Sequence, residues 1–316
     1  MEMKFTVFTP TYNRAYTLTR LYESLKAQTF KSFEWLVVDD GSTDNTEELI
    51  KSFIEEKPFF NIKYIKTENG GKHRAINRGI KYAEGELTFI LDSDDYLTDN
   101  ALERLDGVEK SIDNKDKGIF AGICGNKGYS EEKQVGTSQK EKGYLDITMS
   151  EKNKHGISGD KAEVFYTCIL KQYPFPEFPN ENFLTESIVW DRISHDGYKL
   201  RYFDDIIYIC EYLKDGLTKA GFLLYAHNPR QWGLDIYQKS KYKIRKTSQT
   251  DLEIYKYYLY CKDSLTKQKI IEYLQVSGFK FKKALLKNTM LDFIRKLLRR
   301  QSIKEHIRRE VESVDS

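Results

Sequence analysis

The sequence has few cysteines and no long apolar run, and both absences narrow the class of protein. Its 316 residues include four cysteines, spaced 44, 42 and 51 residues apart. That spacing matches neither a zinc-binding motif nor a disulfide framework, so we expect reduced thiols in the cytoplasm. No apolar run approaches the ~20 residues that a membrane-spanning helix needs, and no signal-peptide core precedes the first predicted strand. The sequence therefore predicts a cytoplasmic protein without a membrane span.

A charge excess of one sign is also absent from most of the chain. Residues 1–279 carry 40 Lys and Arg against 43 Asp and Glu, whereas residues 280–316 carry 11 against 5. The net charge of +3 therefore comes from the C-terminal segment. With 31% charged and 40% apolar residues, the composition is that of a folded chain of one or two domains. We expect no nucleic-acid partner.

Apolar segments alternate with helical patterns over the first 95 residues. The four segments predicted as strands are residues 5–8, 35–38, 62–65 and 87–91. A helical pattern follows each of the first three, so the order is βαβαβαβ. This order predicts an α/β protein with a mostly parallel central sheet and right-handed crossovers.

Polar clusters follow all four predicted strands, at residues 9–14, 39–42, 70–72 and 92–95. In a parallel sheet the carboxyl ends of the strands open at one edge, where ligands bind. We therefore expect the four clusters to meet in one crevice.

The cluster after the fourth strand contains two carboxylates two positions apart, Asp92 and Asp94. Carboxylates that converge in a turn repel each other unless a cation lies between them, and their hard oxygens suit Mg²⁺ or Mn²⁺. The alternative is a strand end followed by a helix N-cap, a position that also favours Asp.

Together these motifs resemble the family 2 glycosyltransferases with the GT-A fold. The matching segments are TPTYNR at 9–14, VDDGSTD at 38–44, NGGK at 69–72, AINRG at 75–79 and LDSDD at 91–95. The resemblance covers residues 4–106 closely and continues more loosely to about residue 220. It implies transfer of a sugar from a nucleotide diphosphate donor to a hydroxyl acceptor, with inversion and a divalent metal, Mn²⁺ or Mg²⁺. We expect a UDP-sugar donor.

The resemblance also implies roles for single residues in donor binding. Asp39 and Asp40 would contact the nucleoside, and we favour Asp40 for the base, with an Asp-Gly turn as the alternative. Gly71 and Lys72 would cradle the phosphates, the alternative being a helix entry with a solvated lysine. Asp94 would bind the metal directly, and Asp92 would lie near the ribose and the metal. Four residues of the first cluster and two of the fourth complete the predicted donor site: Thr9, Pro10, Tyr12, Arg14, Asp92 and Ser93.

Inversion requires a base that takes the acceptor proton as its oxygen attacks the sugar. The family places this base in an acidic pair at a helix start after a proline-rich approach. Glu186 matches that position, although Ser187 stands where the family often has Asp. Asp191 and Glu181 are therefore alternative bases, and a helix-dipole role is the alternative for Glu186 itself.

The rest of the chain is divided by composition and pattern. We expect a nucleotide-sugar-binding half at 1–118, an acceptor-binding half of the same core at 119–228, and a helical extension at 229–316. Further strands are predicted at 118–124, 200–203 and 206–209. His227 and Arg230 are candidates to meet the diphosphate. A processive Q-x-x-R-W motif is not present in full, which favours a single transfer.

The extension contains a basic amphipathic segment at residues 280–300, with eight Lys and Arg against one acidic residue. Its apolar stripe is Leu286, Met290, Phe293 and Leu297. The pattern predicts peripheral contact with the inner face of the plasma membrane, or equally a helix packed on the catalytic domain.

These observations predict a glycosyltransferase that builds a bacterial cell-surface polysaccharide or a lipid-linked oligosaccharide. The acceptor would be a saccharide or a lipid-linked molecule, and the oligomeric state is left open. One rival is a nucleotidyltransferase, which would need a phosphate loop after the first strand. The other is a pseudo-enzyme that binds a nucleotide sugar without transferring it.

Overall fold

A computed structural model describes residues 3–139, 143–211 and 221–292. The chain forms two compact units, residues 1–224 and 225–316. The strands are β1 (Phe5–Thr11), β2 (Phe33–Asp39), β3 (Asn61–Lys66), β4 (Leu87–Ile90), β5 (Tyr96–Leu97), β6 (Phe120–Gly128), β7 (Leu145–Ile147), β8 (Lys161–Tyr166) and β9 (Lys199–Ile209). The first six helices are α1 (Ala15–Lys26), α2 (Thr46–Glu55), α3 (Lys72–Tyr82), α4 (Ala101–Lys110), α5 (Thr167–Gln172) and α6 (Ser187–His195). The others are α7 (Gly221–Ala226), α8 (Pro229–Lys241), α9 (Thr247–Cys261) and α10 (Lys267–Leu274).

One mixed sheet runs through the first unit in the order β3-β2-β1-β4-β8-β6-β9-β5, with β7 paired to β9. The predicted parallel arrangement is present in β3-β2-β1-β4. The inserted strand β8 is antiparallel to both β4 and β6. Because two reversals restore the direction, β6 runs parallel to β4, and the carboxyl ends of both lie at the same edge of the sheet.

Two sequence predictions about strands were wrong in detail. Residues 200–203 and 206–209 belong to the single strand β9, whose pairing with β6 absorbs the polar residues between them through register shifts. The two aspartates between the predicted strands both have side-chain partners. Asp204 accepts a hydrogen bond from Asn126 at 3.0 Å, and Asp205 pairs with Arg104.

The first polar cluster also begins later than predicted. Strand β1 continues to Thr11 because its parallel pairing with β2 extends as far as Asp39. Thr9 is fully buried, and its hydroxyl accepts a hydrogen bond from the Trp35 indole at 3.0 Å. The Thr9 side chain therefore serves the core, and the polar turn starts at Tyr12.

The second unit is helical and has its own core. Its buried residues come from α8, α9, α10 and a helix described over residues 278–292: Trp232, Ile236, Ile254, Tyr257, Cys261, Ile270, Leu274, Phe281 and Ala284. On that last helix Leu286 and Met290 are 75% and 63% exposed. Phe293 and Leu297 lie outside the described residues. In the part of the chain that the structure describes, no helix is long and apolar enough to cross a membrane.

Candidate active site

The turns after β1 and β2 are joined by side-chain hydrogen bonds. Asn13 has a positive φ of 51°, and its backbone N–H donates to the Ser42 hydroxyl at 2.8 Å. The Asn13 side-chain oxygen accepts from the Thr43 N–H at 2.8 Å. Asp44 accepts from the Ala15 N–H at the start of α1 and from Thr46 at the start of α2. These contacts hold two of the predicted clusters side by side.

The paired aspartates after β2 are buried, and both have protein partners. Asp39 accepts hydrogen bonds from the Ser42 N–H at 2.7 Å and from the Tyr64 hydroxyl at 2.6 Å. The two carboxylate oxygens of Asp40 accept from the backbone N–H groups of Gly70 and Gly71, at 2.9 and 2.7 Å. Burial raises the pKa of Asp40, while these two hydrogen bonds act in the opposite direction. In this structure Asp40 shapes the glycine loop, and its contact with a nucleobase stays a prediction.

Gly71 lies where the glycine loop meets the segment that leads to Glu186. Its φ is +93°, and a Cβ built there would lie 1.8 Å from the carbonyl oxygen of Asn182. Arg74 of α3 donates to the carbonyl oxygens of Glu181 and Phe178 in the same segment, at 2.6 and 2.5 Å. The segment before α6 is therefore fixed against the start of α3.

Helix α3 also holds the proline-rich approach itself. The Asn77 amide donates to the Phe175 carbonyl at 2.8 Å and accepts from the Phe175 N–H at 2.8 Å. Trp190 of α6 stacks on Phe165 of β8, with ring centroids 4.3 Å apart. Arg74 and Asn77 thus position Glu186, a role that the sequence did not reveal, because it depends on contacts between segments distant in the chain.

Lys72 joins the end of β4 to the start of α6. Its ammonium lies 2.5 Å from a carboxylate oxygen of Asp92 and 2.6 Å from one of Glu186. The three side chains are each about a third exposed, so ligands have access to them. Burial acts to lower the pKa of Lys72, but the charges of Asp92 and Glu186 outweigh it and raise that pKa. The structure thus places three residues predicted from separate motifs in one cluster.

Asp94 lies beside this cluster without a cationic partner of its own. Burial and the charge of Asp92 raise the pKa of Asp94. Among the described residues, no Lys or Arg nitrogen lies within 4.0 Å of its carboxylate. Its backbone carbonyl accepts from Arg20 at 2.7 Å, which holds the turn. A half-buried acid next to a second acid fits a divalent cation.

The cation site would be completed by substrate rather than by protein. Within the described ranges no group of three or more His, Cys, Asp or Glu side chains converges to hold a metal ion. One or two carboxylates combined with substrate phosphates and water is the usual arrangement for Mg²⁺ at nucleotide sites. Asp94 and Asp92 match that arrangement.

Tyr208 of β9 holds the aspartate turn in place through its hydroxyl. Its hydroxyl accepts from the Asp92 N–H at 3.0 Å and donates to a carboxylate oxygen of Asp95 at 2.7 Å. The other Asp95 oxygen accepts from the Glu211 N–H at 2.8 Å. Burial and the charge of Asp92 raise the pKa of Asp95 to about 7. Asp95 therefore ties the turn to the end of β9, beyond which residues 212–220 lie outside the described residues.

The remaining predicted residues occupy varied positions. Pro10 lies within β1 and is buried. Tyr12 is 46% exposed, Arg14 is half-buried, and the buried Ser93 accepts from Thr17 through its carbonyl oxygen at 2.7 Å. Their contacts with a donor stay predictions.

The alternative candidates are placed less favourably. Glu181 is 5% exposed and its carbonyl oxygen binds Arg74, which suits a structural role. Within the helical unit Arg230 donates to the Tyr273 hydroxyl at 3.1 Å, so its contact with a diphosphate stays a prediction. His73 is buried, which lowers its pKa to about 4 and suits a packing role.

The fold is that of GT-A glycosyltransferases. A crystal structure of the 1–349 fragment of Staphylococcus aureus TarS in complex with UDP aligns with a TM-score of 0.57 at 21% identity. The alignment covers 90% of this chain and 81% of that one. The predicted fold class is confirmed.

Sequence comparison identifies the family of the N-terminal half. Residues 6–160 match the model of glycosyl transferase family 2, and this part of the chain is a domain of that family. The S. aureus poly(ribitol-phosphate) beta-N-acetylglucosaminyltransferase TarS is 39% identical over 103 residues, 32% of this chain and 18% of TarS. The Streptococcus pneumoniae glycosyltransferase GlyG is 34% identical over 123 residues, 39% of each chain. The matched segments thus span well under two thirds of these relatives.

Proposed function

We propose that this protein is an inverting, metal-dependent glycosyltransferase that moves a sugar from a UDP-sugar to a hydroxyl acceptor. The observation that carries the proposal is the cluster of Lys72, Asp92 and Glu186. It joins the predicted phosphate loop, the predicted metal turn and the predicted base, which arise from three different parts of the chain. Such a cluster contains the groups that a single displacement at a sugar carbon requires.

In the proposed reaction each residue has one task. Glu186 removes the proton of the acceptor hydroxyl while the acceptor oxygen attacks the anomeric carbon. Lys72 places positive charge beside the departing diphosphate. Asp94, with Asp92 beside it, would hold Mn²⁺ or Mg²⁺, which supplies Lewis-acid stabilisation of the leaving phosphate.

The choice of UDP rests on the relatives. TarS is named as an N-acetylglucosaminyltransferase, and its 1–349 fragment was crystallised with UDP and with UDP-GlcNAc. UDP-GlcNAc is therefore the first donor to test. The name of TarS specifies a poly(ribitol-phosphate) acceptor. A polymeric acceptor of that kind supports our proposal that this protein acts on a bacterial cell-surface polysaccharide or a lipid-linked oligosaccharide.

The test is donor turnover by the full chain with UDP-GlcNAc and Mn²⁺, measured as UDP release. We expect Glu186→Gln to lower the rate by about 10²–10⁴-fold while UDP affinity changes little. Glu177→Gln is the control, because this carboxylate is exposed and contacts Arg74 and Asn77 rather than Lys72. If Asp191→Asn were inactive and Glu186→Gln fully active, Asp191 rather than Glu186 would be the base. UDP binding without any turnover of UDP-sugars would identify a pseudo-enzyme.

We also propose that the basic helix, described over residues 278–292, contacts an anionic membrane surface, where a lipid-linked acceptor would lie. Phe279, Leu286 and Met290 share one helical face at positions i, i+7 and i+11, and all three are at least 63% exposed. Lys282 and Lys283 are exposed beside them. The opposite face, with Phe281 and Ala284, belongs to the helical core. The described part of the stripe is thus open to a partner, and lysines around it favour anionic lipid.

Vesicle sedimentation tests this second proposal without removing the helix, whose inner face the core needs. We expect binding to phosphatidylglycerol vesicles that falls with salt and is absent with phosphatidylcholine. Each lysine near an anionic leaflet contributes about 1 kcal/mol, so the double substitution Lys282→Glu, Lys283→Glu should weaken binding at least about tenfold. Self-association that is lost in Leu286→Ser, without vesicle binding, would instead assign the stripe to a second copy of the chain.

A further inference from the structure

Lys127 lies near the carboxyl end of β6, at the same edge of the sheet as Asp92. Its register partner on β9 is Tyr208, and its ammonium lies 4.0 Å from the centroid of the Tyr208 ring. The hydroxyl of that ring accepts from the Asp92 N–H. Lys127 is therefore separated from the aspartate turn by a single aromatic side chain.

Lys127 contacts an aromatic ring rather than a carboxylate. Among the described residues, no carboxylate lies within 4.0 Å of its ammonium, which lies over the ring of Tyr208. Burial acts to lower the pKa of Lys127, but the charges of Asp92, Cys210 and Asp95 together outweigh it and raise that pKa. A partly buried cation of this kind has three N–H donors ready for a ligand.

Lys161 on the adjacent strand β8 is a buried lysine whose ammonium is hydrogen-bonded by protein groups, and it serves as a comparison for Lys127. That residue is 2% exposed, and its ammonium donates to the Asn126 side-chain oxygen at 2.9 Å and to the Val135 carbonyl at 3.4 Å. Protein acceptors thus satisfy Lys161, whereas Lys127 is held over an aromatic face toward the site. The contrast indicates that the partner of Lys127 is supplied by substrate.

We propose that Lys127 is a second phosphate-binding cation of the site and contacts the diphosphate of the nucleotide donor. The charges of both Lys72 and Lys127 act to lower the pKa of Asp92, so both lysines lie close enough to interact with the same carboxylate. Lys72 is already shared between two carboxylates, whereas Lys127 is paired with no carboxylate among the described residues. Its ammonium would donate to phosphate oxygens and stabilise the charge that develops on the departing nucleotide. This inference rests on the proposed function.

Calorimetry with the full chain in Mn²⁺ tests it, with UDP and uridine as ligands. Lys127→Met keeps the apolar stem over Tyr208 and removes the charge. We expect its UDP affinity to fall on the order of tenfold, with uridine affinity unchanged, since only the phosphates are affected. Lys133→Met is the matched control, because Lys133 also lies over a ring, that of Tyr129 at 5.5 Å, but is exposed and is not among the charges that shift the pKa of Asp92.

The outcomes are distinguishable. UDP affinity within twofold of wild type in Lys127→Met overturns the inference while leaving the proposed function intact. A wild type that binds no nucleoside diphosphate refutes the proposed function and the inference with it. An equal loss for UDP and uridine indicates a structural role and also overturns the inference. Thermal unfolding checks that the variant folds, and Lys127→Gln provides the same measurement if the methionine variant does not.

Discussion

Replacement of Gly71 by alanine would test whether the glycine loop and the base-bearing segment act as one unit. The residue has φ +93° and ψ 155°, a region essentially restricted to glycine, in which alanine costs on the order of 1–3 kcal/mol. The new Cβ would lie 1.8 Å from the Asn182 carbonyl oxygen, whereas an ordinary contact begins at 3.4 Å, so one of them must move by about 1.6 Å. Both atoms involved lie at or on the backbone, so a rotamer change gives no relief.

Two effects should follow from Gly71→Ala. Overpacking commonly costs about 1–3 kcal/mol, which together with the backbone strain gives a loss of about 2–6 kcal/mol in the free energy of unfolding. The segment that carries Glu186 should shift by more than an ångström, and a misplacement of that size can lower a rate by about 10²-fold. Chemical denaturation and UDP release from UDP-GlcNAc measure the two effects.

Gly107→Ala is the matched control in the same unit. Gly107 lies within α4, and a Cβ there meets nothing within 4 Å. Alanine is favoured over glycine in a helix by about 1 kcal/mol, so this variant should be slightly more stable and fully active. Wild-type turnover in folded Gly71→Ala would refute the reasoning, because it would show that the contact with Asn182 does not position the base.

Three further predictions concern single carboxylates. Asp94→Ala should abolish the Mn²⁺ dependence of UDP binding in calorimetry, because it removes the proposed metal ligand; unchanged dependence would exclude Asp94. Asp40→Asn should lower both UDP affinity and stability by about 1.5–3 kcal/mol, since its amide group cannot accept from both the Gly70 and Gly71 N–H groups; an effect on uridine affinity alone would favour base recognition. Glu109 is 1% exposed and, despite burial, its hydrogen bonds with Lys117, Lys4 and Tyr166 lower its pKa below 4.5. Its stabilisation is therefore present at neutral pH and lost as the pH falls through the lowered value, so Glu109→Gln should cost about 1.5–3 kcal/mol at pH 7 and progressively less in acid. A pH-independent difference in denaturation would contradict that account.

Local pattern was sufficient to predict the first half of the sheet and the residues that gather at its edge. Strands β1 to β4 are apolar segments joined by amphipathic helices, and this alternation leaves little choice of topology. The carboxyl ends of parallel strands meet at one edge for the same reason. The convergence of Lys72 with Asp92 followed from this argument, because both lie directly after strands of the parallel half.

The second half of the sheet depended on pairings that local pattern does not encode. Strand β8 inserts between β4 and β6 in the opposite direction, and β9 continues through the residues between the two predicted strands. Such pairings are chosen by burial and by contacts between distant segments, so periodicity within one segment cannot predict them.

The sequence by itself determined the α/β class, the glycosyltransferase motifs and the identity of the acids and the lysine at the site. The tertiary structure decided which partners those groups have: Asp40 with two backbone N–H groups, Lys72 between two carboxylates, and Lys127 over Tyr208. It also decided that Leu286 and Met290 face solvent rather than the helical core. The physical reason is the same in each case. A side chain's chemistry is set by its residue type, but its partners and its exposure are set by whatever the rest of the chain brings within a few ångströms.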